Sequence, residues 1–188
     1  IHTYIGSGNF NVELVVLSGN GCMDSVTHIF NSFVLPVSAF SFADVCEDST
    51  VSFSNSSTSA AGSIAAQNWD FGNGSISSLV NPTASYNNDT VYPVTLISIS
   101  NNGCRDTVLN NITIYNNPVV NLGGSVSTCG TSLSLNAGNA GSNYLWSTTE
   151  TTQTISVSAD GDYHVTVTTP FGCHDEDTVS VLLNIVAE

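Results

Sequence analysis

The stretch Trp69-Asp70-Phe71-Gly72-Asn73-Gly74 decides the reading of this chain. Side chains alternate along a strand, so Trp69 and Phe71 share one face and Asp70 takes the other. Gly72-Asn73-Gly74 then supplies the positive-φ positions of a tight hairpin turn. The same grammar recurs on both sides. Short alternating runs rich in Val, Ile, Thr and aromatics are separated by Gly, Asn and Pro, and no stretch has a helical period. The fold class is read as all-β.

Composition narrows the partners. Apolar residues make up 41% of the 188, enough for a packed core. Arg105 is the one Lys or Arg against 15 Asp and Glu, for a net charge of −14. A nucleic-acid binder needs cations to displace counterions from phosphate, so nucleic acid is excluded as a partner. An anionic membrane surface is disfavoured on the same ground. There is no apolar run of the roughly 18 residues that a spanning helix needs, so no membrane insertion is expected. The negative charge is read as a source of solubility and of repulsion between extended molecules. Ile1 is not an initiator and no signal peptide precedes it, so the chain is expected to be a piece of a longer or processed protein.

An internal repeat organises the chain. Cys22 and Cys104 set its offset (104 − 22 = 82), and Phe10/Tyr92, Val12/Val94, Leu14/Leu96, Asp24/Asp106, Val26/Val108 and Pro36/Pro118 keep it without a gap. Residues 1–35 are therefore read as the C-terminal half of one repeat and residues 36–117 as a complete one. Residues 118–188 form a shorter cousin. There Gly161-Asp162-Tyr163 through Phe171-Gly172-Cys173 matches the hairpin from Tyr92 to Cys104, and Trp146 takes the place of Trp69. The divisions fall at Pro36 and Pro118, which cannot donate to a ladder. In the complete repeat the expected strands are 38–42, 50–55, 67–71, 82–86, 92–100 and 106–115. In the last segment they are 119–122, 132–136, 144–147, 152–157, 161–168 and 175–183. This density of short strands is the sandwich pattern. Half a sandwich in residues 1–35 would expose apolar edges, and upstream chain is expected to complete it.

The same logic pairs the cysteines. Each segment has one Cys near its start and one after its long hairpin strand, which gives Cys46–Cys104 and Cys129–Cys173. Cys22 occupies the Cys104 position, so its partner is expected upstream, outside the chain. Each bridge would stabilise its sandwich by about 4 kcal/mol in the chain-entropy model, and such bridges imply an oxidising, extracytoplasmic compartment. No C-x-x-C is present and the His residues are dispersed, so zinc is not expected.

These residues resemble a known family. Trp69-Asp70-Phe71-Gly72-Asn73-Gly74, Asn81-Pro82 to Tyr86, Tyr92-Pro93-Val94-Thr95-Leu96 and Asn102-Gly103-Cys104 are similar to the polycystic-kidney-disease (PKD) type repeat, over residues 1–117. The family pattern has Asp where this chain has Asn73. Residues 118–188 resemble a short immunoglobulin-like module, on Val120-Asn121-Leu122-Gly123-Gly124, Leu135-Asn136-Ala137-Gly138-Asn139, Tyr144-Leu145-Trp146-Ser147 and Thr151-Thr152-Gln153-Thr154-Ile155. The resemblance implies tandem β-sandwiches of the kind found in giant cell-surface adhesins of Bacteroidetes, including gliding bacteria, exported by the type IX route.

No catalytic constellation is present: there is no G-x-S-x-G and no His in a triad context, so the chain is not read as an enzyme. His174-Asp175-Glu176-Asp177 is the densest polar cluster and reads as a solvated strand start. Asp70 and Asn73 could offer oxygen ligands to Ca²⁺, but a turn in which Asp70 caps backbone amides accounts for them better, so no cofactor is expected. Trp69, Phe71, Tyr86, Tyr92, Trp146 and Tyr163 are assigned to the core. Ser25, Ser49, Thr90, Thr107 and Thr178 each follow an Asp in a pattern that resembles the O-glycosylation acceptor of Bacteroidetes. The functional expectation is a structural spacer or adhesive segment of a long extracellular filament or surface adhesin, presenting a distal binding region. Its partners would be neighbouring repeats, other copies in a filament, and surface glycans. The alternatives are a carbohydrate-binding accessory region of a secreted hydrolase and a self-assembling fibre subunit.

Overall fold

The computed structural model describes residues 2–184, and every regular element among them is a strand. In chain order these are β1 (Gly8–Leu17), β2 (Met23–Ser32), β3 (Phe40–Ser41), β4 (Val45–Cys46), β5 (Thr50–Ser52), β6 (Ser54–Asn55), β7 (Ile64–Asp70), β8 (Ile76–Ser77) and β9 (Thr83–Ser85). There follow β10 (Val91–Ser100), β11 (Arg105–Tyr115), β12 (Val126–Cys129), β13 (Leu133–Asn136), β14 (Asn143–Trp146), β15 (Thr154–Val157), β16 (Gly161–Thr168) and β17 (His174–Asn184). The larger sheets have the orders β4-β11-β10-β7-β8 and β12-β17-β16-β14, and β3-β6, β5-β9 and β13-β15 make small two-stranded sheets. The chain divides into two compact units: Ile1–Ala43 with Ser52–Ala84 and Tyr92–Ile112, and Asp44–Val51 with Ser85–Val91 and Thr113–Glu188.

The first unit is built around Trp69, which is 2% exposed. Its ring meets Phe40 at 5.1 Å and Phe53 at 5.7 Å, and Phe53 continues to Phe71 at 5.2 Å. The indole N–H donates to the Leu79 carbonyl at 3.0 Å, so the ring is buried without leaving a donor unpaired. On β10, Leu96 lies opposite Trp69 in the antiparallel register. The turn after Phe71 closes through Phe71 N–H to the Ser75 carbonyl. Gly72 has φ +73, and a Cβ there would stand 2.6 Å from the Pro93 carbonyl oxygen, so only glycine fits.

Also in the first unit, β1 and β2 form a hairpin from Gly8↔Ser32 to Leu17↔Met23. Phe10, Val12, Leu14, Val16, Val26 and Phe30 share one face by this register. Tyr4 packs on Phe10 and Phe30, but the face is otherwise open. Leu14 is 60% exposed, whereas Leu96, its equivalent 82 residues on (96 − 14 = 82), is 0% exposed.

The second unit repeats the plan. Trp146 is 2% exposed and packs with Tyr144, Val165, Val167 and Val179. Its indole N–H donates to the Thr152 carbonyl at 2.9 Å, and Val165 lies opposite it on β16. Leu96 stands eight residues before Cys104 and Val165 eight residues before Cys173. The two tryptophans therefore hold the same register position on the same hairpin. The turn after Trp146 closes on the Glu150 carbonyl with Thr149 at φ 75, where the first unit uses Gly74 at φ 87.

Among the expected strands, 161–168 coincides with β16. Residues 119–122 are not a strand, and β4, β8 and β12 are additional. β4 and β12 run parallel to β11 and β17. Truncating the indole should leave a large cavity. Trp69→Ala is expected to cost about 3–5 kcal/mol in denaturant unfolding, and a loss under about 1 kcal/mol would remove Trp69 from the centre of the core.

Candidate functional site

The chemistry of this chain is concentrated at its cysteines and at the carboxylates beside them. One disulfide is present among the described residues, and it joins Cys46 to Cys173 with a Cα–Cα distance of 5.6 Å. Cys22, Cys104 and Cys129 are free thiols. This corrects the expected pairs Cys46–Cys104 and Cys129–Cys173, and with them the expectation of one bridge inside each sandwich. The reason is strand length. Cys46 lies beside Tyr115 at the far end of β11, while Cys104 immediately precedes β11, which is 11 residues long. At about 3.3 Å per residue that strand separates the two sulfurs by about 36 Å, against a Cα–Cα limit of about 7 Å for a bridge. Cys129 likewise lies beside Asn184 at the far end of β17, also 11 residues long, and Cys173 immediately precedes that strand.

Packing holds the observed bridge in place. Tyr115 and Phe171 stack with centroids 4.0 Å apart. The Tyr115 carbonyl accepts the Glu47 N–H at 2.8 Å, and the Glu47 carboxylate accepts the Asn117 N–H at 3.0 Å. Asp44 accepts the Thr113 N–H at 2.8 Å. Cys173 is buried. Closing a loop with a sequence separation of 127 stabilises the fold by about 5 kcal/mol in the chain-entropy model.

The carboxylates clamp backbone. Asp106, two residues after Cys104, accepts the Ser38 N–H at 2.7 Å, and the Ser38 hydroxyl donates to the Asp106 carbonyl at 2.9 Å. Asp175, two residues after Cys173, accepts the Val120 N–H at 2.9 Å, and Asp177 accepts the Leu122 N–H at 2.7 Å. The cluster His174-Asp175-Glu176-Asp177 thus ties down the segment 119–122. Its alternate amides bond carboxylates rather than a strand ladder, which is why it is not a strand. Glu176 faces the other way, 3.6 Å from His164 Nε2 on the exposed surface. The Ser38 N–H holds the Asp106 carboxyl below its ordinary value. The Thr107 N–H and the Ser38 hydroxyl add to this, and desolvation opposes it.

The remaining candidates fall in ordinary places. Asp70 accepts the Gly72 N–H at 2.9 Å and Asn73 accepts the Ser75 N–H at 3.0 Å, so their oxygens close the turn. Among the described residues no three His, Cys, Asp or Glu side chains form a metal-binding group. Tyr86 and Tyr163 are buried, and Tyr92 is half-buried. Ser25, Thr90, Thr107 and Thr178 are exposed, and Ser49 is half-buried. An open groove of about 460 Å³ lies on β7, β8 and β10 of the first unit, between Asn68, Asp70, Ile76, Ser78, Thr95 and Ile97. No exposed aromatic lines it. The carboxylate clamps and the parallel strands β4 and β12 escape a reading of the sequence by strand patterns. The signal for the clamps was the spacing of Asp two residues after each hairpin Cys.

The PKD domain family matches residues 35–114. The likeness to that family is confined to that segment. The Trp69 core, the Gly72 turn and the Asp106 clamp all lie within the segment that matches. Among solved structures, the PKD1 domain of the Vibrio cholerae metalloprotease PrtV is 34% identical, with 44% of this chain and 99% of that one covered and a TM-score of 0.41. The PKD1 domain of Vibrio anguillarum Epp is 28% identical over 45% and 99%, with a TM-score of 0.43. A 1.5-MDa bacterial ice-binding adhesin, in a structure concerned with its host cell surface retention, is 12% identical over 95% and 76%, with a TM-score of 0.41. No curated protein matches the chain. No helix among the described residues is long and apolar enough to cross a membrane.

The depressed Asp106 carboxyl gives a pH test. Its folded pKa lies below its unfolded value, so its contribution is present above the ordinary carboxylate value of 3.8 and is lost as pH falls through the folded pKa. Chemical denaturation at pH 7 and near pH 3 should show a smaller acid-induced loss of stability in Asp106→Asn than in the unchanged chain. Identical losses would show that the clamp carries none of the acid sensitivity.

Proposed function

We propose that this chain is a structural and adhesive segment of a long extracellular protein of the cell-surface adhesin type, in which a PKD domain and an immunoglobulin-like sandwich act as stiff spacers behind a distal binding region. The observation that carries this reading is the Cys46–Cys173 bridge, which ties a cysteine of the segment 36–117 to one of the segment 118–188 within the second compact unit. A spacer under tension benefits from a covalent short-circuit of this kind. The net charge of −14 keeps such molecules apart in solution. The oxidised Cys46–Cys173 pair supports a location outside the cytoplasm. The reading includes export of the gliding-adhesin kind and sugars on the exposed hydroxyls of Ser25, Thr90, Thr107 and Thr178. Peptide masses from the native source that lack hexose increments at all four would remove the sugars. A role in carbohydrate binding is less well supported, because the groove on β7, β8 and β10 offers no exposed aromatic for a sugar to stack on.

Force measurement tests the spacer. Pulled from its two ends, the oxidised chain should reach a contour length shorter by roughly 420–460 Å than the reduced chain, the span of the 127-residue separation. Equal lengths, or extension under loads no greater than a random coil needs, would overturn the reading.

A further inference from the structure

The two described sandwiches carry their cysteines in the same register. Cys46 and Cys129 each sit in a short strand parallel to the end of a long last strand, beside Tyr115 and Asn184. Cys104 and Cys173 each sit in the hairpin turn immediately before that last strand. Each sandwich therefore has one thiol position at each end, too far apart to bond within it. The one bridge among the described residues joins the start cysteine of one segment to the turn cysteine of the next. The clamp beside the turn cysteine is repeated as well: Asp106 holds Ser38, two residues after Pro36, and Asp175 holds Val120, two residues after Pro118.

We propose that this bridge is one link of a continuous series, in which the start cysteine of every module bonds the turn cysteine of the module after it. The free thiols are then those whose partners lie in neighbouring modules. Cys104 takes the start cysteine of the module to which residues 1–35 belong, Cys22 takes that of the module before it, and Cys129 takes the turn cysteine of the module that follows. The open apolar face of β1 and β2 marks where the first half of the module to which residues 1–35 belong packs. Leu14 and Phe30 lie exposed there, whereas their equivalents Leu96 and Ile112 are buried. The occupant is a segment equivalent to residues 36–82. The stack of Tyr115 on Phe171 is not repeated at the earlier junction, where Phe33 and Asn102 hold the equivalent positions. The clamp and the thiols carry the equivalence. Each bond forms by exchange with a disulfide-bearing oxidant. One cysteine thiolate attacks a sulfur of the oxidant's disulfide and releases the oxidant's other sulfur as a thiolate, and the second cysteine thiolate then attacks the protein sulfur of this mixed disulfide and displaces the oxidant's remaining thiolate. The oxidant leaves as a dithiol, having taken two electrons and the two protons lost by the cysteines.

The inference rests on reading the chain as a run of like modules, but it can fail alone: bridges inside modules would leave a spacer intact. The test is to prefix residues 36–82 to Ile1, which restores the repeat in phase and adds one start cysteine. The unchanged chain should alkylate at three thiols. The prefixed chain, despite its extra cysteine, should alkylate at two, Cys22 and Cys129, with Cys104 bonded to the prefix cysteine and β1 and β2 newly protected from amide exchange. A bond from the prefix cysteine to Cys22 would overturn the series. So would Cys104 remaining free beside a protected β1–β2 hairpin. Non-reducing peptide mapping of the parent protein from its native source decides the matter where the prefix does not fold. Cys104 linked to an upstream peptide supports the series, and Cys104 free or linked elsewhere ends it.

Discussion

The length of the last strand in each sandwich is the constraint on which the rest depends. β11 and β17 are both 11 residues long, and the hairpins they close set the position of every other feature. The tryptophan stands opposite the residue eight places before the turn cysteine in both cases. The clamping aspartate stands two places after that cysteine. A parallel strand carrying a cysteine lies beside the far end. A strand of this length keeps Cys46 out of reach of Cys104 and Cys129 out of reach of Cys173.

Much of this was legible in the residues. The alternation around Trp69 and the Gly72 turn announced a strand and its hairpin, because period-two patterning and positive φ leave few other readings. Trp146 could be matched to Trp69 by spacing alone. The cysteine pairs could not. Homology between segments tells which cysteines are equivalent, but equivalence is silent on which end of a strand each occupies. The short strands Val45–Cys46 and Val126–Cys129 were invisible because a few residues at a parallel edge carry no periodicity. Residues 119–122 alternate like a strand, yet their amides bond Asp175 and Asp177. Side-chain acceptors there do what a neighbouring strand would have done.

A chain with one cation and 15 acids has almost no ion pairs to draw on. Asp44, Asp106, Asp175 and Asp177 instead accept backbone N–H groups. Each aspartate satisfies a donor at a strand end or linker, where ladders stop. Charge is thus spent on chain geometry, and hydrogen bonds from backbone to carboxylate are stronger than neutral ones.

The position of Arg105 gives the Cys46–Cys173 bridge a further consequence. A protease that cuts after Lys or Arg finds one peptide bond to attack in this chain, at the exposed start of β11. That bond lies inside the loop that the bridge closes. A nick there would leave both fragments on one covalent thread, so damage to the backbone would not become separation of the two ends.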